Sequence, residues 1–178
     1  MSSPKSPPTR DALIDAGLRC FGESGFEGSR LSDITSKADV TTGAFYGYFA
    51  SKLEFFNVLF DRYGSDIQAA LDRAPTLREQ FVAYIEESRQ HRGVVRASAE
   101  LLQRVPEHTV ARRALRDSCA WRLRLPATAR QSRAASRLLV DVLENYAFLE
   151  AAELMAVREP DEVARALSML IETGLYKA

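Results

Sequence analysis

Residues 39–52 read DVTTGAFYGYFASK. Three small residues, Thr42, Gly43 and Ala44, stand directly before the aromatics Phe45, Tyr46, Tyr48 and Phe49, and the run closes on Lys52. A core helix does not open on polar and glycine positions, and a loop does not carry four aromatics. Both features fit one short helix over about 42–48 with Thr41 as its N-cap. Phe45 and Phe49, four apart, share a face and point inward. Tyr46 and Tyr48 point outward. The small first turn leaves room for another surface to come close to the backbone.

Working outward, Ser29 is expected to cap a second short helix over about 30–37, with Leu31, Ile34 and Ala38 inward. Asp39-Val40 has room only for a turn, and aspartate tolerates the left-handed conformation better than most residues. An earlier helix runs from about Arg10 to Glu23, with Gly25 as its stop. Two short helices joined by a tight turn make a helix-turn-helix, and the second helix of such a motif enters the major groove by its N-terminal end. Thr42 can offer a hydroxyl and a methyl to base edges, while Gly43 and Ala44 permit close approach. Tyr46, Tyr48 and Lys52 are placed for phosphates, Lys52 because it sits in the first turn of the next helix, where an anion is favoured. With the hydroxyls of Ser29 and Thr41, the expected DNA-contact set is Ser29, Thr41, Thr42, Gly43, Ala44, Tyr46, Tyr48 and Lys52.

Over positions 10–60 the chain resembles the DNA-binding head of the TetR family of bacterial transcriptional regulators. The matching residues are Gly25-Phe26, Ser29, Asp33-Ile34, Ala38, Val40, Gly43, Phe45-Tyr46, Phe49 and Ser51-Lys52. Four positions depart from the pattern: Asp39 replaces the usual turn glycine, Ala44 a frequent threonine, Gly47 stands near a frequent histidine, and Gly17 replaces a common alanine. The resemblance implies an all-helical effector-binding and dimerisation region after the head, with its last two long helices pairing against a partner's.

Composition agrees with an all-α chain. At 178 residues with 46% hydrophobic content there is ample material for a core, and glycine and proline are few. No apolar run reaches the ~18 residues a membrane span needs. The N-terminal MSSPKSPPTR lacks the apolar segment of a secretory signal. Two distant cysteines, Cys20 and Cys119, give no disulfide framework and suit a reducing, cytoplasmic setting. The 24 basic and 24 acidic residues cancel, and the head is itself balanced, so a case for DNA rests on local placement and not on bulk charge.

Further helices are expected at about 51–71, 76–92, 94–104, 107–124, 131–156 and 160–175. Ser51 with Glu54 and Thr76 with Glu79 form capping-box patterns, and Pro160 suits a first helical turn. The eighth helix is apolar nearly all round, leaving only Asp141, Glu144 and Asn145 as a polar stripe. That marks it, with the ninth, as a homodimer seam. The domain reading is therefore a Ser/Pro-rich disordered arm at 1–8, a helix-turn-helix domain at 9–52 and an effector-binding and dimerisation domain at 53–178.

Phe60, Tyr63, Tyr84 and Trp121 are the aromatics expected around the effector cavity. Twelve arginines against three acids between positions 88 and 137 read first as a solvated face. They also leave room for an acidic protein partner or for an anionic effector, with Arg96 the chosen contact. His91, His108, Cys20 and Cys119 lack metal-ligand spacing. Ser98 with either histidine comes without a nucleophile elbow or oxyanion loop, so neither enzyme activity nor a metal or cofactor is expected. The reading is a ligand-responsive regulator, a dimeric repressor on a palindromic operator. The rival is a helical protein-interaction or small-molecule carrier module with a degenerate head.

Overall fold

The structure, a computed structural model, describes residues 10–102, 104–125 and 133–173. The expected N-terminal arm lies outside them, as do the expected start of the eighth helix and end of the ninth. Among the described residues the chain is all-α: α1 Arg10–Gly28, α2 Leu31–Lys37, α3 Thr42–Tyr46, α4 Lys52–Arg73, α5 Leu77–Gln90, α6 Arg92–Leu101, α7 Pro106–Arg122, α8 Arg133–Ala151 and α9 Pro160–Thr173.

Local chemistry sets the helix starts. The Thr41 hydroxyl accepts from Ala44 N at 3.1 Å, Ser51 from Glu54 N at 3.0 Å and Thr76 from Glu79 N at 3.2 Å. Glu79 returns a bond from Thr76 N at 3.0 Å, closing a capping box. Asp39 takes the left-handed turn expected of it, at φ 56°.

Four local expectations need correction. Gly25 does break α1, at φ 70° and ψ −172°, but a last turn follows it to Gly28. Ser29 does not cap α2; Arg30 holds that position. The Ser29 hydroxyl turns inward, with Cys20 O at 2.8 Å and Gly25 O at 2.7 Å sharing its one proton as acceptors. The recognition helix stops at Tyr46 with Gly47 as its C-cap, in keeping with the low helix propensity of glycine. Finally, the polar stripe expected on α8 is divided: Asn145 is exposed, whereas Asp141 and Glu144 are engaged within the fold. They face α7, where Arg112 and Arg116 pair with them.

One apolar core runs through head and body. The aromatic root of α3 rests on the start of α4: Phe45, Phe49 and Phe55 are packed with ring centroids 4.7–5.4 Å apart. Phe56 continues the cluster to Phe21 and Phe26 at 5.9 and 5.7 Å and to His108 at 5.3 Å. Such tilted and edge-on pairs add to the burial term. The other support of the head is α6, which lies tightly along α1.

Candidate functional site

On the head, packing divides the run 39–52 as its spacing requires. Phe45 and Phe49 are 0% and 2% exposed, whereas Tyr46 and Tyr48 are 56% and 45% exposed. Thr42 and Gly43 lie at the surface on the same short helix, with Ala44 half-buried. A Cβ built on Gly43 would meet nothing of the protein closer than the Thr41 hydroxyl at 3.8 Å. Nothing inside the chain demands a glycine there.

Two members of the expected contact set do other work. Ser29 is buried and occupied as described above. Lys52 reaches back from the first turn of α4 and donates to Phe26 O at 2.8 Å and Ser29 O at 2.9 Å. Its ammonium also stands 4.4 Å from the Phe26 ring centroid. It therefore ties the connector between α1 and α2 to α4. Lys52→Met should destabilise the protein by about 2 kcal/mol, the scale of a charged hydrogen bond with a cation–π contact. Denaturant midpoints measure this; an unchanged midpoint with a shallower salt dependence of DNA binding would return Lys52 to a phosphate role.

The same connector is gripped from α6. Glu100 accepts from Glu27 N at 2.9 Å, and its carboxylate fills the space where a Cβ on Gly25 would sit, at 1.7 Å. Arg96 donates to Gly22 O at 3.0 Å and Glu23 O at 3.1 Å, and Arg104 pairs with Glu27 at 2.8 Å. Arg96 therefore holds the end of α1 and does not line the cavity, as its sequence neighbourhood had suggested.

In the body, Phe60, Tyr63 and Tyr84 come together around an internal cavity between α4, α5, α6, α7 and α8, with a volume of about 20 Å³. Its polar groups, Ser98, Cys119, Arg116 and Glu144, were not placed in the cavity from sequence. Trp121 is elsewhere, 78% exposed on α7. Tyr63 bonds Ser88 through their hydroxyls at 3.2 Å. Burial raises the pKa of both Tyr63 and Tyr84 and pushes the Cys119 thiol up to about 12, so all three stay neutral.

Ser98 and His108 do meet, Oγ to Nε2 at 2.8 Å. They are 5% and 2% exposed, and His108 Nδ1 has no hydrogen-bond partner. A sealed pair without an orienting acid lacks the third member that a nucleophilic triad requires. Desolvation, then the nearby Arg112 charge, lower the His108 pKa from 6.5. The unfolded chain thus binds the proton more readily, so this contribution to stability is complete above about pH 6.5 and is lost as pH falls toward the folded pKa. The His108→Gln protein should show a flatter stability profile over that window; equal slopes for both proteins would rule the residue out.

Much of the arginine excess meets acids elsewhere in the fold. Arg89 forks onto Glu150 at 2.7 and 2.9 Å, Arg92 meets Glu153 at 2.8 Å, Arg112 meets Glu144 at 2.5 Å, Arg122 meets Asp72 at 3.3 Å and Arg137 meets Asp117 at 2.7 Å. A wider cleft of about 210 Å³ beside α5 and α8 is lined by the Arg89–Glu150 pair, whose charges already satisfy each other.

The outer faces of α8 and α9 carry exposed apolar residues: Leu138 at 53%, Val142 at 42%, Met169 at 58% and Leu170 at 61%. No described helix is long and apolar enough to cross a membrane.

Comparison with known proteins places this arrangement. The family profile of bacterial regulatory proteins, tetR family, matches residues 13–59. The transcriptional regulator BetI of Agrobacterium fabrum is 33% identical over 177 residues, covering 96% of this chain and 76% of the relative. The transcriptional repressor DhaR of a Mycobacterium species is 34% identical over 88 residues, covering 44% of each chain. The chain thus spans less than half of that relative's length and about three quarters of BetI's. The crystal structure of the TetR family regulator PfmR from Thermus thermophilus superimposes with a TM-score of 0.72 over 97% of this chain and all of the other, at 21% identity. The shared fold thus extends beyond the head, and with a regulator aligned along nearly its whole length, the chain belongs to the TetR family of bacterial regulatory proteins.

Proposed function

We propose that the protein is a dimeric, ligand-responsive transcriptional repressor acting in the cytoplasm on a palindromic operator. The observation that carries the reading is the two-sided α3: its aromatic root is sealed in the core while Thr42, Gly43, Tyr46 and Tyr48 stand at the surface. Thr42 would read a base edge with its hydroxyl and methyl. Gly43 and Ala44 would let the backbone approach, and the tyrosine hydroxyls and the Thr41 region would contact phosphates. These contacts, the head domain at 9–52 and the effector and dimerisation domain at 53–178 are part of the proposal. The membership of regulators such as BetI and DhaR in the same family supports it.

Two recognition helices on one face of B-DNA require half-site centres about 34–36 Å apart or a near multiple. Effector binding in the body would alter that separation through α6, which lines the cavity with Ser98 and grips α1 with Arg96 and Glu100. Coupling of this kind is typically about 1–3 kcal/mol, or 5–150-fold in DNA affinity.

The balanced charge of the head favours one rival, a helical carrier or protein-interaction module that no longer binds DNA. Selection of bound fragments from random double-stranded DNA separates the two. The repressor reading expects enrichment of an inverted repeat with the stated spacing and an affinity that falls with salt. No enrichment at low salt would leave the carrier reading.

A further inference from the structure

The wall of the internal cavity is balanced in charge. It holds two ionised groups, Arg116 and Glu144, with Arg116 Nε 3.3 Å from Glu144 Oε2. Glu144 also takes a bond from Arg112 Nε, and Arg116 also pairs with Asp141. Two guanidinium groups thus face two carboxylates, and the cluster is neutral. The remaining polar wall groups, the hydroxyls of Tyr63, Tyr84 and Ser98 and the Cys119 thiol, carry no charge. A carboxylate entering this space would meet Glu144, and an ammonium would meet Arg116. Either ion would be left buried without a counterion, which is the expensive case in a low-dielectric interior.

The cluster is neutral but not saturated. Arg116 Nε is buried and, although 3.3 Å from Glu144 Oε2, is not aligned with it for a hydrogen bond, and Arg112 Nη1 is buried without one. Both atoms are donors with no acceptor role. A buried donor without a partner costs free energy that a ligand oxygen would recover. The lining also holds three aromatic residues, Phe60, Tyr63 and Tyr84. The cavity of about 20 Å³ holds no more than a water molecule, so a ligand must displace side chains to enter.

We propose that the effector is a compact, uncharged molecule with an aromatic or alicyclic body and one acceptor oxygen of the ketone, ester or amide type, received by Arg116 Nε–H with its body against Tyr63 and Tyr84. The proposal rests on the ligand-responsive reading above and replaces the anionic effector that the arginine excess suggested, because most of the described arginines there are held by partners within the fold.

The test uses the full chain and two matched sets of compounds. One set is acetophenone, benzoate, benzylammonium and ethylbenzene; the other is their naphthalene counterparts. Within each set, affinity by calorimetry should be highest for the ketone, with a margin over the hydrocarbon of about fivefold, the size of one net hydrogen bond. A double variant, Arg116→Met with Asp141→Asn, keeps the cluster neutral and should erase the margin while the hydrocarbon binds as before. Its melting curve without compound shows that it is folded. Tightest binding by the carboxylate or the ammonium, a ketone no better than its hydrocarbon, or no binding by either set at millimolar concentration would overturn the proposal. Operator binding is measured separately on the same preparation. A protein that selects DNA but prefers an ion refutes only this inference, and one that selects no DNA refutes the regulator reading.

Discussion

Replacing Val142 and Leu170 together by glutamate should turn the protein into a soluble monomer and lower operator affinity by a hundredfold or more. Both side chains lie on the outer faces of α8 and α9, 42% and 61% exposed, and neither is part of the buried core. Their loss should therefore cost the isolated chain little, since surface substitutions usually stay within about 0.5 kcal/mol. In a two-fold dimer each substitution occurs twice across a self-complementary seam. Four carboxylates would then be forced into an apolar contact, and unpaired buried charge is among the costliest defects an interface can carry. Without the seam, the second recognition helix is no longer held near its half-site, and the gain from linked binding, about 10²–10⁴, disappears. Phe148 and Leu167 are less discriminating choices, because both are partly buried against the chain's own core. Sedimentation and gel shift on the same samples check the result. A variant that sediments as the wild type and binds operator equally would move the seam elsewhere.

Much of the head was legible because its determinants are local. A cap, a four-residue aromatic spacing and a left-handed turn involve neighbours in sequence. Thr41, Asp39, Phe45, Phe49 and the Thr76–Glu79 box accordingly stand as their patterns require. What the sequence misassigned are polar side chains whose partners are remote along the chain. Lys52 bonds carbonyls 23 and 26 residues away, and Arg96 bonds carbonyls 73 and 74 residues away. A charge at a helix end or an arginine on an apolar stretch looks unpaired until the tertiary contact is known. The arginine-rich stretch misled for the same reason: its acids are Asp72, Asp141, Glu144, Glu150 and Glu153, in or beside other helices. Trp121 was expected inside on its type alone, yet its position on α7 is the outer one. In the cavity, aromatic identity sufficed to find Phe60, Tyr63 and Tyr84. Ser98 and Arg116 carried no periodic signal of their own that could have found them.

The second large effect is expected at a glycine whose neighbour in space is also a glycine. Gly93 opens α6 where it crosses α1, and a Cβ there would lie 2.2 Å from Leu18 O and 2.9 Å from Gly22 N. Both are backbone atoms of a helix, so no side chain can turn aside to relieve the clash; the helices must separate. Gly22, across the same crossing, would place its Cβ 3.7 Å from Arg92 Cγ and 3.8 Å from Gly93 Cα, which is ordinary contact. The two substitutions should therefore differ in sign. Gly93→Ala should destabilise the chain by about 3 kcal/mol, at the upper end of overpacking costs. Gly22→Ala should be neutral or stabilise by up to about 1 kcal/mol through helix propensity. Separation at Gly93 would also lengthen the bonds from Arg96 to Gly22 and Glu23 and from Glu27 to Glu100. The head would then be held by α4 alone, through Lys52 and the Phe45–Phe49–Phe55 stack. The expected signature is a lowered denaturant midpoint together with weakened operator binding and a smaller response to effector. If Gly93→Ala unfolds at the wild-type midpoint, α6 does not hold α1 at this crossing, and the route from cavity to head must run through α4.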